Sequence, residues 1–124
     1  MSDLHFPPRE LAVMAILWRL GSATVADVRD ALEEDLAYTT VLSALQTLER
    51  KGFVRPEPEG RAYRYFPTVA ADTAGRNALD RIKDAIFQGS SERMFAQLVA
   101  DRDLSRQELE RMRTLLSERL DRGC

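Results

Sequence analysis

Apolar positions along the chain change their spacing near residues 53 and 69, and those changes divide it into helices, a ribbon and more helices. Pro7 or Pro8 suits the first turn of a helix, where a missing N–H leaves no hydrogen bond unmade. Behind it, Leu11, Met14, Ala15 and Trp18 recur at helical spacing and predict a core-facing side, and Gly21 predicts a left-handed stop. Thr24-Val25-Ala26-Asp27 reads as a capping box with Asp in place of the usual Glu or Gln, opening a short second helix with Val25, Val28 and Leu32 inward. The acidic run Glu33-Glu34-Asp35 then leads to a turn near Leu36-Ala37. A third helix is predicted over about 39–51, with Val41, Ala44, Leu45 and Leu48 at i, i+3, i+4 and i+7 as its buried stripe. At about 100° per residue, Thr39, Ser43, Gln46 and Arg50 fall on the opposite side, with Thr40 and Thr47 flanking.

Gly52 ends that helix, and the period shortens. Phe53 and Val54 begin a strand that Pro56 and Pro58 confine to a sheet edge, and Glu59-Gly60 supplies a turn. Arg61 to Phe66 alternates and is rich in aromatics, so it reads as the return strand, closed by Pro67. Tyr63, Tyr65 and Phe66 are expected to pack against the helices from the ribbon's inner face and hinge, in preference to stacking on bases.

Beyond Val69 the pattern is wholly helical. Ala78, Leu79, Ile82, Ala85 and Ile86 mark a long fourth helix ended by Gly89, and Met94, Phe95, Leu98 and Val99 mark a fifth. Ser105-Arg106-Gln107-Glu108 is a capping box opening a sixth, with Leu109, Met112, Leu116 and Leu120 on one face. Helices totalling about 50 residues are too few to bury such stripes by themselves. A second copy of the chain is the simplest cover, which makes Leu79, Ile82, Ile86, Phe95, Leu98, Leu109, Met112 and Leu116 candidate dimerisation residues. The predicted architecture is mainly α with a small β-wing: a winged helix-turn-helix over residues 1–69, followed by a three-helix dimerisation region over 70–124.

Composition narrows the function. No apolar run approaches the roughly 18 residues of a membrane span. The start, Met1 to Phe6, lacks a basic segment followed by an apolar one, so a cytoplasmic protein is expected. Cys124 is the single cysteine and His5 the single histidine, which leaves no Cys/His or Ser/His/Asp constellation and no metal-ligand set. The expectation is therefore a protein that is not an enzyme and holds no cofactor. Net charge is −2, mildly adverse to nucleic acid, but its distribution matters more than its sum. From Arg50 to Arg64 there are five basic residues and two acidic ones.

A helix with short polar side chains outward, beside an arginine-bearing ribbon, is suited to duplex DNA. The major groove admits one helix, and Thr, Ser and Gln side chains reach base edges or phosphates from close range. The candidate DNA-binding residues are Thr39, Thr40, Ser43, Gln46 and Thr47, with Arg50 and Lys51 better suited to phosphates and Arg61 and Arg64 on the ribbon within reach of the backbone or an adjacent minor groove. Any amphipathic helix has a polar outer face, so the order of three helices, glycine and arginine-bearing ribbon carries this reading. The alternative is a winged helix used for protein contact without DNA.

Four short motifs in order resemble the penicillinase-repressor group of bacterial winged-helix regulators (BlaI/MecI/CopY type). Glu10 to Met14 with Leu17-Trp18 resembles the group's opening helix. Tyr38-Thr39-Thr40-Val41 with Lys51-Gly52 resembles its recognition helix, and Gly60 to Tyr65 its wing. Ile86 to Ser90, Leu104-Ser105 and Glu108-Leu109 resemble its dimerisation region. The resemblance covers nearly all of the chain. It implies a homodimer that binds a palindromic double-stranded DNA operator and represses transcription, in antibiotic or stress response. In the antibiotic-response members it also implies a sensor protease system whose action leads to cleavage or release of the repressor. The chain departs at three places: Thr47 stands where the group usually has Arg, Gln97-Leu98 where cleaved members have Asn-Phe, and Cys124 stands alone where copper-responsive members have a cysteine cluster.

Overall fold

A computed structural model describes residues 6–123. The terminal thiol of Cys124 and the opening residues Met1 to His5 lie outside them. The chain divides into two compact units between Leu79 and Asp80.

The first unit holds α1 (Pro8–Leu20), β1 (Ala23–Thr24), α2 (Val25–Ala31), α3 (Tyr38–Arg50), β2 (Val54–Glu59), β3 (Ala62–Pro67) and the start of α4 (Ala71–Ile86). Pro8 is the first residue of α1 and Pro7 its cap. The core is made by Phe6 ahead of α1, Val13, Met14, Ile16 and Leu17 of α1, Ala23 of β1, Val25 and Val28 of α2, Val41, Ala44, Leu45 and Leu48 of α3, Phe53, Val54 and Tyr65 of the ribbon, and Ala74 of α4. No polar or charged side chain is buried among the described residues. The stripe read for α3 is therefore the buried one, residue for residue. The face read for α1 is rotated. Met14 is buried and Trp18 half-buried, but Leu11 is 46% exposed and Val13, Ile16 and Leu17 point inward instead. Apolar residues surround most of α1, so spacing alone does not choose a side.

Thr24 caps α2 by a closed reciprocal box. Its hydroxyl accepts from Asp27 N–H at 3.2 Å, and the Asp27 carboxylate accepts from Thr24 N–H at 3.1 Å. The shorter Asp thus serves where Glu or Gln is usual. At the end of α3, Gly52 takes φ +84°, and Phe53 N–H donates back to the Leu48 carbonyl at 2.9 Å. That left-handed step turns the chain so that Phe53 enters the core.

The sheet has three antiparallel strands in the order β1-β3-β2. β2 is an edge, as its two prolines require. Gly60 and Arg61 connect Glu59 to Ala62, with Gly60 at φ +61°, the positive value that suits a glycine-first two-residue hairpin. The two-residue β1, which pairs Ala23 with Tyr65 and Thr24 with Arg64, is an addition to the architecture read from sequence. Of the ribbon aromatics, Tyr65 is buried, Tyr63 is 52% exposed, and Phe66 faces the other side beneath the Arg55 guanidinium, 4.6 Å from its ring centre.

The second unit holds the rest of α4, α5 (Ser91–Val99) and α6 (Arg106–Asp121). Ser90 and Ser105 cap α5 and α6 by accepting from Arg93 and Glu108 N–H, each at 3.0 Å. No side chain of residues 80–123 is buried in the single chain. Ile82, Ile86, Phe95, Leu98, Leu109 and Leu116 are all exposed, and Met112 is half-buried. Leu79, at the boundary, is exposed as well.

Candidate nucleic-acid interface

The outward face of α3 follows from its inward one. With Val41, Ala44, Leu45 and Leu48 committed to the core, Thr39, Ser43, Gln46 and Arg50 are left exposed, with Thr40 and Thr47 half-buried at the flanks. Thr39, Thr40, Ser43 and Gln46 make no side-chain hydrogen bond among the described residues. Their donors and acceptors are thus open to an outside partner, and all four are short enough to let the helix backbone come close. Arg50 donates to Thr47 Oγ1 at 3.1 Å, which brings a guanidinium back over position 47.

The basic residues divide by their partners. Lys51 Nζ meets Glu10 Oε1 of α1 at 2.8 Å. Arg64 is gripped by both oxygens of Glu59, at 2.8 and 3.1 Å, and also reaches Ser22 Oγ at 3.3 Å and Asp27 Oδ2 at 3.7 Å. This grip holds the Glu59 carboxyl below the ordinary carboxylate range and raises Arg64 further above its own. Because Asp27 also belongs to the cap of α2, Arg64 ties the ribbon to the start of that helix. Arg55 is paired with Glu57. Arg61, at the hairpin tip, is exposed and has no ion pair among the described residues. All nine candidate residues thus lie in the first unit. Thr39 to Arg50 share one helix, Arg61 stands free on the wing, and Lys51 and Arg64 are engaged within the protein.

Arg9 is a residue that the sequence reading passed over. It is exposed in the first turn of α1 and lines one concavity with Thr39, Thr40, Ser43 and Thr47. Reading α1 only for its apolar side hid it; a cation just inside a helix start was the available signal. A second concavity lies between α3 and the wing, lined by Tyr38, Gln46, Glu49, Arg61, Tyr63 and Tyr65 among others. Burial, then the nearby Glu49 carboxylate, push the Tyr65 hydroxyl above its ordinary value.

The sequence pattern of penicillinase repressors matches residues 6–118, both units included. The chain belongs to the penicillinase repressor family. It is a mainly α, winged-helix, DNA-binding transcriptional repressor. The family is one of transcriptional repressors, not of enzymes. The transcriptional regulator BlaI of Mycobacterium tuberculosis is 46% identical over 66 residues, which span 51% of this repressor and 48% of BlaI. The methicillin resistance regulatory protein MecI of Staphylococcus aureus is 20% identical over 112 residues, 89% of this repressor and 91% of MecI. The solution structure of the DNA-binding domain of the repressor BlaI superposes with a TM-score of 0.51 at 25% identity, over 56% of this repressor and 88% of that domain. No helix among the described residues is long and apolar enough to cross a membrane.

Proposed function

We propose that this repressor acts as a homodimer on a dyad-symmetric operator. One α3 from each protomer enters the major groove of one half-site, and occupancy of promoter DNA blocks transcription. Thr39, Ser43 and Gln46 read base edges, Thr40 and Thr47 flank them, and Arg50 and Arg61 meet phosphates. The observation that carries the reading is the polar face of α3, where Thr39, Ser43 and Gln46 make no side-chain hydrogen bond among the described residues, backed by four core residues and flanked by a wing tip whose arginine has no ion pair among them. A repressor that acts on DNA in this way works in the cytoplasm.

The dimer is supported by the second unit. Ile86 is 60% and Leu98 53% exposed there, and apolar side chains of this size along three helices favour burial by about 25 cal/mol per Å2. A second copy offers the same surface in return, which closes a two-fold interface. One half-site gives few phosphate contacts, so pairing also raises occupancy.

The test is titration of the full chain with two labelled duplexes at matched salt, one carrying its own promoter and one of random sequence. Tighter binding to the promoter duplex supports the reading. Equal affinity for both, or none for either, refutes sequence-specific repression.

A further inference from the structure

Two basic side chains, one at the end of α3 and one on the wing, are each held by a carboxylate from another element. At the C-terminal end of α3, Lys51 meets Glu10 of α1 at 2.8 Å. On the wing, Glu59 binds Arg64 with both oxygens, at 2.8 and 3.1 Å. A guanidinium gripped by two carboxylate oxygens is in the same forked geometry it uses for phosphate. Glu59 therefore occupies the bond directions that Arg64 would offer to a DNA backbone, and Glu10 does so for Lys51. Neither pair is sealed from water: the side chains of Lys51 and Arg64 are 40% and 30% exposed. A phosphate can reach both cations, and must compete with the carboxylates when it does.

We infer that Glu10 and Glu59 are internal competitors for DNA phosphate, each withholding one cation from the duplex. The inference rests on the DNA-binding reading above and goes beyond it by naming residues that limit the sequence-independent part of the affinity. Phosphate contacts supply nearly all non-specific binding, and each releases counterions. A repressor outnumbered by non-specific sites gains discrimination when that part stays small, because the base contacts of α3 then decide where it rests. Ordinary surface ion pairs have no such consequence. Here the two pairs take up Lys51, just past the helix end, and Arg64 on the wing, while Arg50 and Arg61, which have no ion pair among the described residues, are left for the phosphates.

The test measures binding of the full chain to a random-sequence duplex over a range of salt. The proteins are wild type, Glu10→Gln, Glu59→Gln, Lys51→Gln, Arg64→Gln and the paired variants Glu10→Gln/Lys51→Gln and Glu59→Gln/Arg64→Gln. Each freed cation adds about 0.9 to the steepness of log affinity against log salt, which near 0.1 M is a gain of roughly 5- to 10-fold. Glu10→Gln is expected to show that gain, and Glu59→Gln a gain of the same sign reduced by Asp27, whose carboxylate remains 3.7 Å from Arg64. Arg64→Gln alone is expected to leave the steepness near that of wild type, because its charge is already taken. In the paired variants the gain is expected to vanish.

Unchanged steepness in both glutamate variants overturns the inference. So does a gain that persists after the cation is removed, since that is plain loss of negative charge. If wild type binds neither this duplex nor its promoter, the DNA reading itself fails and the inference falls with it; the wild-type arm separates that outcome from the others.

Discussion

The Trp18 indole N–H donates to the Val69 carbonyl at 2.8 Å, joining the end of α1 to the chain as it leaves the wing. The residues are 51 apart in sequence, so the bond closes most of the first unit. Phe6 packs edge-on against the same indole, with ring centres 6.1 Å apart, and against Phe53 at 4.9 Å. Trp18→Phe keeps most of the packing and leaves the Val69 carbonyl without this donor. It is expected to lower stability by about 1 kcal/mol, as a lost hydrogen bond at a half-buried site does. A shifted urea midpoint with an unchanged slope would show this; an unshifted midpoint would show that water replaces the indole without loss.

Ser43→Ala and Gln46→Ala test the readout face. Each removes groups that have no partner among the described residues, so folding stability is expected to stay within about 0.5 kcal/mol. Sequence preference is expected to relax at one operator position for each variant, by roughly 1–3 kcal/mol. Selection from a randomised duplex pool measures it directly. Preference identical to wild type for both variants would take these side chains out of the interface.

Arg61→Ala removes the free cation at the wing tip. Affinity is expected to fall alike for promoter and random duplexes, and the salt dependence to flatten by about 0.9 in slope. Loss confined to one sequence would mean that Arg61 reads bases instead of phosphate.

Tyr65 gives a prediction in alkali. Its burial places the folded-state value above the ordinary tyrosine value of about 10. A raised folded value means that the folded state favours the protonated hydroxyl. The associated stability is whole below the unfolded value and is lost as pH rises through the folded one. Stability measured by urea across that window is expected to decline, and the decline to be smaller in Tyr65→Phe, which has no hydroxyl to ionise. Equal decline in both proteins would place the alkaline weakness elsewhere.

Ile82→Glu tests the pairing surface in the full chain. Ile82 is 42% exposed on α4, and a carboxylate there is expected to leave one protomer folded while preventing a second from covering it. Sedimentation is expected to show wild type as a dimer and the variant as a monomer at the same concentration. A variant that sediments with wild type would move the interface away from α4.

Local patterns carried most of the fold. The i, i+3, i+4, i+7 spacing of Val41, Ala44, Leu45 and Leu48 fixed the buried side of α3, and with it the polar face opposite. Pro56 and Pro58 put β2 at an edge, and Gly52 and Gly60 marked the two chain reversals. Illegible features depend on distant partners or on brevity. β1 is two residues long and exists only because Ala23 and Thr24 meet Tyr65 and Arg64, so no alternation announces it. The Lys51–Glu10 pair spans 41 positions. The Glu59–Arg64 grip depends on a hairpin register that places those two residues diagonally across the ribbon. Counting basic residues in a window thus overstated the free charge, since Lys51, Arg55 and Arg64 are each paired with a carboxylate, which leaves Arg50 and Arg61 without an ion pair among the described residues.

Hydroxyl-radical footprinting of the full chain on its own promoter, with the stoichiometry of the complex measured by sedimentation, tests the central claim most directly. Two protomers per site are predicted. They should protect two patches related by a dyad, their centres one helical turn apart (about 10–10.5 base pairs) or a multiple of it. One protomer on one unpaired patch would contradict the account.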